Sequence, residues 1–196
     1  MIIRPLLARG FWALARYRLR SEGPPATGSA VLIGAPHTSN WDFAMMLAIA
    51  WSHRFSPRWL GKHTLFKFPF GAVMRALGGI PVDRANPAGL VDEIVRRIGE
   101  GKRLLLVVTP EGTRQRGTHW KSGFYRIART AGLPLVLGYV DSATRTAGFG
   151  PTIHLTGDVT ADMDKLRAFY ADKRGLRPGD FTPPRLREEQ VPDGTE

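Results

Sequence analysis

The chain contains no cysteine, few acidic residues and no long apolar run. Without cysteine anywhere in its 196 residues, it has no disulfide framework and no thiol nucleophile. No stretch approaches the roughly eighteen apolar residues that a membrane-spanning helix needs. Several arginines interrupt the first twenty residues and no small-residue cleavage site follows them, so we do not expect a signal peptide.

The shortage of acidic residues leaves a strongly basic chain. Against 28 Lys and Arg there are only 17 Asp and Glu, for a formal net charge of +11. Such a charge suits nucleic acid, an anionic membrane surface or phosphorylated substrates. No recognisable nucleic-acid fold motif accompanies it, so we expect no nucleic-acid partner. A hydrophobic content of 43% is ordinary for one globular domain with a substantial core.

Apolar runs alternate with amphipathic segments through the middle of the chain. Residues 30–34, 104–108 and 133–140 are continuously apolar, which is typical of strands covered on both faces of a parallel sheet. Between them, residues 88–100 carry Leu, Val and Ile at helical spacing. This alternation predicts an α/β domain with a mainly parallel sheet flanked by helices.

Two segments flank the predicted domain, which spans residues 23–174. In residues 1–22, apolar side chains up to Tyr17 share one side of a helical wheel and arginines gather on the other. This pattern suits a helix lying in an anionic membrane surface, and an ordinary helix packed on the domain is the alternative. Residues 175–196 carry Pro, Gly and charge without periodicity, which predicts a mobile tail.

The most informative stretch begins at His37, directly after the apolar run 30–34. The loop at the carboxyl end of a strand is where open α/β sheets place reactive groups. Ser39 or Asn40 can cap the helix that follows, which puts Asp42 in its first turn. With His37 in the loop, the chain can fold back so that Asp42 reaches the imidazole ring.

A carboxylate on one ring nitrogen fixes the tautomer of a histidine and stabilises the imidazolium that forms. The other nitrogen can then take a proton from a hydroxyl group. Because the chain has neither a Gly-x-Ser-x-Gly elbow nor a cysteine, we expect the nucleophile to belong to the substrate. The alternative is a capped helix start with His37 on the surface.

Three further stretches follow the His-x-x-x-x-Asp pattern: Gly78–Arg84, Thr109–Arg114 and Leu133–Leu137. In order and spacing, the four together resemble the motif blocks of the glycerolipid acyltransferases, in particular the bacterial 1-acylglycerol-3-phosphate acyltransferases. The resemblance runs from about Val31 to Asp141. Two positions depart from the family pattern: Gly138 stands where a second proline is common, and Thr109 where an aromatic residue is usual. These departures leave the acceptor open.

The resemblance implies a glycerol-3-phosphate acyltransferase-like fold and an O-acyltransferase of phospholipid biosynthesis. His37 would be the general base and Asp42 its orienting carboxylate. The positions that would bind the acceptor or support catalysis are Arg84, Glu111, Gly112, Thr113 and Arg114. The acceptor would be a lysophospholipid, 1-acylglycerol 3-phosphate, which becomes phosphatidic acid. The donor would be acyl-CoA or acyl-carrier protein, and we expect no cofactor and no metal.

Such an enzyme would be cytoplasmic and peripheral on the inner face of the cell membrane. We expect residues 1–20 with Phe66, Phe68 and Phe70 to form the docking face, and the alternative is that these Phe fill the core. Three rival functions stay open: transfer to another acceptor (a lyso-ornithine lipid or glycerol 3-phosphate), hydrolysis by water activated at His37, and a non-catalytic basic module that binds membrane or nucleic acid.

Overall fold

The structure of the protein is a computed structural model that describes residues 3–24, 28–82, 87–100 and 103–190. Within these ranges the α-helices are α1 Ile3–Ala15, α2 Trp41–Ser52, α3 Gly71–Ala76, α4 Pro87–Gly99, α5 Gly123–Thr130 and α6 Val159–Tyr170. The strands are β1 Arg18–Leu19, β2 Ala30–Gly34, β3 Arg58–Lys62, β4 Gly79–Val82, β5 Leu105–Val108, β6 Leu135–Asp141 and β7 Thr146–Ile153. Short 3-10 helices span His63–Phe66, Pro178–Asp180 and Arg187–Gln190.

The strands of the described ranges form one 7-stranded sheet in the order β1-β7-β6-β2-β5-β3-β4. Every neighbouring pair is parallel except β6 and β7, which are antiparallel. The prediction of a mainly parallel α/β domain is therefore confirmed. β2 lies at the centre between β5 and β6, so the loops that follow β2 and β5 leave the same edge of the sheet side by side.

Helices cover both faces of the sheet, and this is why its strands are continuously apolar. Along β2, Val31 and Ile33 belong to a core shared with α4, α5 and α6, while Ala30 and Leu32 belong to a core shared with α2. Successive side chains of a strand point to opposite faces, so a strand buried on both sides needs apolar residues throughout.

The N-terminal helix is shorter than the wheel pattern predicted. α1 ends at Ala15, Arg16 adopts a left-handed φ of 57°, and Arg18–Leu19 pairs with β7 as an edge strand. α1 packs on α2, where the indole of Trp12 donates to the hydroxyl of Ser52 at 3.0 Å. The wheel that extended to Arg20 was wrong, because strand pairing replaces the helix there.

The surface retains apolar side chains on α1 and around α3. The residues exposed by half or more include Ile3, Leu6, Leu7, Leu14, Phe68, Phe70 and Val73. Phe66, which we expected on the same docking face, is instead buried and stacks on Trp59 at 5.7 Å between ring centroids. In the described part of the chain, none of the helices has the length and apolarity that crossing a bilayer requires.

Residues 175–190 pack against the domain, which differs from the mobile tail that we expected. Thr182 and Leu186 are almost fully buried, and the indole of Trp120 donates to the carbonyl of Thr182 at 2.7 Å. Leu176 and Phe181 also contact the two cores. Apolar residues dispersed among prolines show no helical or strand period, so periodicity alone predicts a solvated segment. Residues 191–196 lie outside the described ranges.

Candidate active site

His37 occupies the loop between β2 and α2, at the carboxyl edge of the sheet. Its Nδ1 lies 3.3 Å from Oδ2 of Asp42, and Asp42 is 8% exposed. The same Oδ2 accepts the backbone N–H groups of Thr38 and Ser39, both at 2.7 Å. The carboxylate thus holds the loop and the ring together, which is the arrangement that the spacing predicted.

The start of α2 is built differently from the expected cap. Asn40 takes the N-cap position in a helical conformation without a side-chain cap bond, and the hydroxyl of Ser39 accepts the N–H of Trp41 at 3.2 Å. Instead, Asp42 in the first turn reaches back to the loop's N–H groups, as the acidic member of a capping box does. Neither Ser39 nor Asn40 therefore blocks the face of Asp42 that meets His37.

Glu111 is a second buried carboxylate that bonds the backbone of the same loop. It is 2% exposed, and its Oε1 accepts the backbone N–H of His37 at 2.5 Å while Oε2 accepts that of Thr182 at 3.0 Å. Burial raises the pKa of Glu111 to about 7, although both N–H bonds favour the ionised form. We expected Glu111 to contact the acceptor, but it is not among the residues that line the cleft beside His37.

A cleft of about 1060 Å³ opens beside the imidazole. Its polar end is lined by His37, Asp42 and Arg114, and its remainder is largely apolar. The aromatic and aliphatic lining comes largely from α2 and from the strands of the sheet, and includes Phe43, Met46, Ile49, Phe55, Trp59 and Phe149. A volume of this order and a few converging polar groups are typical of ligand sites.

The loop after β5 forms the second wall of the polar end. Gly112, Thr113 and Arg114 all line the cleft, and a guanidinium nitrogen of Arg114 donates to the side-chain oxygen of Asn40. Gly112 has a φ of +68°, which L side chains rarely adopt, and it lets the loop turn above buried Glu111. Arg84, the other predicted phosphate ligand, lies outside the described residues.

Three residues near His37 and Asp42 are not among those that the motifs predicted. Thr38 is fully buried and its hydroxyl accepts the N–H of Arg177 at 3.0 Å. Arg177 itself lines the cleft. Thr182 ties Glu111 to the C-terminal segment. The one available signal was the presence of apolar residues, such as Phe181, in a segment that we interpreted as solvated.

The described side chains contain no group of three or more His, Asp or Glu placed to hold a metal ion. What the site does contain is an imidazole against a carboxylate, an adjacent guanidinium and an apolar cleft. An imidazole oriented in this way can accept a proton from a hydroxyl group. The guanidinium can bind an anionic group of the molecule that carries that hydroxyl.

Comparison with known proteins agrees with this chemistry. A family model described as Acyltransferase matches residues 18–137. In its fold, the chain is similar to the crystal structure of the 1-acyl-sn-glycerophosphate (LPA) acyltransferase, PlsC, from Thermotoga maritima. The TM-score is 0.58 and the identity 16%, and the match covers 86% of this chain and 74% of that chain. No curated protein sequence matches the chain.

Proposed function

Because the chain belongs to the acyltransferase family, we propose that it moves an acyl chain from acyl-CoA or acyl-carrier protein to the free hydroxyl of 1-acylglycerol 3-phosphate. The position of His37 carries this proposal. Its ring contacts Asp42 at 3.3 Å and lines the same cleft as Arg114. One cleft therefore offers a base for the hydroxyl, a cation for the phosphate and an apolar lining for acyl chains.

The imidazole acts on the acceptor hydroxyl. With Asp42 at Nδ1, the neutral ring carries its proton there and leaves Nε2 to accept the hydroxyl proton. The acceptor oxygen attacks the thioester carbonyl and forms a tetrahedral intermediate. Collapse of this intermediate breaks the carbon–sulfur bond, and the imidazolium returns the proton to the leaving thiolate. No bond to the enzyme forms, which agrees with the absence of cysteine from the chain.

Arg114 is the described residue that we assign to the acceptor's phosphate, and Arg84 is assigned with it by family resemblance. Guanidinium binds phosphate oxygens through a planar fork and keeps its charge throughout the physiological pH range. The bond from Arg114 to Asn40 holds the guanidinium at the start of α2, close to the His37 loop. Gly112 and Thr113 complete this wall of the cleft.

The apolar part of the cleft supports a lipid substrate. Phe43, Met46 and Ile49 of α2 line it together with Val107 of β5 and Val140 of β6. Burying a methylene group contributes about 0.8 kcal/mol, so a long acyl chain gains more from such a lining than a short one. A water-soluble acceptor such as glycerol 3-phosphate uses little of it.

The test is to incubate purified protein and liposomes with labelled acyl donors and a panel of acceptors, then to identify the products. We expect acylation of 1-acylglycerol 3-phosphate, and about a hundred- to ten-thousand-fold slower formation of product by the His37→Ala variant. Acylation of a lyso-ornithine lipid or glycerol 3-phosphate alone would replace the acceptor but keep the reaction. Release of free fatty acid without transfer would identify a hydrolase.

The membrane association is also a proposal: the protein docks peripherally on the inner face of the cell membrane. Leu14 is 87% exposed and lines an apolar surface groove on α1 with Ile3, Leu6 and Leu7, and Phe68 is 97% exposed near exposed Phe70; such clustered apolar surface is typical of a membrane or protein contact. The net charge of +11 adds attraction to anionic headgroups, at about 1 kcal/mol for each basic residue near the surface. Both substrates carry acyl chains, so docking brings the cleft to them.

Liposome flotation separates the apolar and electrostatic contributions. We expect binding to anionic vesicles that high salt weakens, and weaker binding by the double variant Leu14→Ser, Phe68→Ser. Ala171→Ser is the matched control, since it places the same side chain at an exposed position after α6, on the opposite face of the sheet. If the wild-type protein does not bind anionic vesicles even at low salt, the docking proposal fails. The proposal of acyl transfer would not be affected by that result.

A further inference from the structure

The segment from Arg174 to Thr182, here called the C-terminal strap, is bound to the catalytic loop and to its neighbours. At its start, the N–H of Arg174 donates to Asp141 at 3.1 Å. In its middle, the N–H of Arg177 donates to the hydroxyl of Thr38 at 3.0 Å. At its end, the N–H of Thr182 donates to Glu111 at 3.0 Å. The strap thus contacts residues on either side of His37.

The strap also approaches the catalytic loop closely. A Cβ added to Gly175 would lie 2.7 Å from the hydroxyl oxygen of Thr38 and 3.0 Å from Cβ of Pro36. These separations are shorter than ordinary Cβ contacts, so a side chain at position 175 would force the strap and the loop to shift apart. The backbone of Arg177 is bonded to Thr38, which is the next residue after His37. Its position relative to the imidazole of His37 is therefore fixed.

Arg177 lines the same cleft as His37 and Arg114. Among the residues that the structure describes, its guanidinium has neither a carboxylate partner nor a hydrogen bond. Arg167, in contrast, bonds both Asp164 and Glu189. An arginine that stabilised the fold would be expected to contact carboxylates or carbonyl groups of the protein, as Arg167 does.

We propose that Arg177 binds a phosphate group of a substrate seated beside His37. The inference rests on the acyl transfer proposed above and deepens it, because it adds a cation from the C-terminal strap to that of Arg114. The phosphate has two possible sources, the headgroup of the acceptor or the phosphates of an acyl-CoA or acyl-carrier protein donor. A phosphomonoester carries charge enough for two guanidinium groups, and both arginines line the cleft.

Steady-state kinetics with varied acceptor and varied donor distinguish these sources. We expect Arg177→Ala to raise KM by about tenfold or more for the phosphorylated substrate that it contacts, with kcat little changed. Arg177→Lys should recover part of the loss, because it keeps the charge but not the fork. Monoacylglycerol has no phosphate. If Arg177 contacts the acceptor's phosphate, Arg177→Ala should have no effect with monoacylglycerol as the acceptor. If Arg177 contacts the donor's phosphates, the variant should show the same rise in donor KM with either acceptor.

Arg174→Ala is the matched control. It removes the same charge from the same strap, and the Arg174 side chain donates to the carbonyl of Ala171 and is not among the residues lining the cleft. We expect it to behave as the wild-type protein. If Arg177→Ala and Arg174→Ala give the same KM values for acceptor and donor, the proposal is overturned.

Binding measurements separate this inference from the proposed function. Binding is followed by tryptophan fluorescence, because Trp59 lines the cleft. Lysophosphatidate and acyl-CoA are titrated separately, each below its critical micelle concentration. Weaker binding of either ligand by Arg177→Ala than by Arg174→Ala supports the anion site, even in a protein that transfers no acyl chain. Equal binding of both ligands by the two variants, with thermal unfolding unchanged, rejects it.

Discussion

The segments after β2 and after β5 both place a buried carboxylate beside His37, but they do so over very different distances in sequence. Asp42 contacts the ring at 3.3 Å from five positions away. Glu111 contacts the backbone N–H of the same residue at 2.5 Å from a separation of 74 positions. The first carboxylate contacts the ring itself, whereas the second bonds the backbone of the loop that carries it.

The difference shows that adjacent residues in a motif need not share a role. Glu111 and Arg114 belong to one short block, yet Glu111 is buried beneath the loop and Arg114 lines the cleft. A turn at Gly112 separates the two directions. The substitutions below test whether the carboxylates and the arginine act on chemistry, on binding or on the loop, in order of decreasing effect.

The largest effect is expected from His37→Ala. General base catalysis contributes about a hundred- to ten-thousand-fold to a rate, so acyl transfer should fall by that factor. Binding of 1-acylglycerol 3-phosphate and the urea-unfolding midpoint should change little, because the ring acts in the transition state. Turnover is measured with labelled donor. Near-normal turnover by the variant would refute the mechanism, and Asp42 would then have no reacting ring to orient.

Asp42→Asn should follow closely. The amide can still accept a backbone N–H through its oxygen, but it no longer stabilises the imidazolium. We therefore expect a loss of kcat on the order of a hundredfold, toward the lower end of the range for a lost general base, with an unchanged KM for the acceptor. If kcat persists while the protein unfolds more easily, Asp42 acts on the loop through Thr38 and Ser39 and resembles Glu111.

Arg114→Ala should act on binding. Loss of a charge-assisted hydrogen bond costs about 1.5–3 kcal/mol, which predicts a fall in kcat/KM of about tenfold or more for a phosphorylated acceptor. A neutral monoacylglycerol should be much less affected, and the same expectation applies to Arg84→Ala. Equal losses on both acceptors would assign these arginines to structure. The measurement is a comparison of kcat/KM on the two acceptors.

Glu111 should have the smallest effect on activity, and its most diagnostic readout is the pH dependence of stability. Its pKa is about 7 in the fold against an ordinary 4.5, so the folded state retains a proton that the unfolded state has lost. Its contribution to the free energy of unfolding is therefore complete below the unfolded pKa and is lost as the pH rises through the folded one. Urea unfolding between about pH 4.5 and pH 7 should show this decline in the wild-type protein.

Glu111→Gln provides the comparison, because glutamine cannot titrate. The variant should be less stable at acidic pH and should lack this part of the pH dependence. If the difference in unfolding free energy between the two proteins stays constant across that interval, Glu111 does not titrate in it. The contrast with Asp42 would then rest on geometry alone.

Periodicity predicted most of the sheet correctly, and local spacing predicted the contact between His37 and Asp42. Both depend on interactions within a few residues. The same reasoning failed at Arg18, where pairing with Thr146 across the chain replaces a helix. It failed again at Phe66, whose burial against Trp59 requires that β3 already be in place.

Short-range pattern and spacing encode a basic α/β protein with a histidine and a carboxylate at a strand end, so these features can be predicted from the residues alone. Which side chains surround that pair depends on how the whole chain packs. Hydrogen bonds between residues 74 and 139 positions apart hold Glu111 against the backbone of His37 and tie the backbone of Arg177 to Thr38. No local pattern specifies such contacts, because they exist only once the sheet has brought its strand ends together and the C-terminal strap has packed against them.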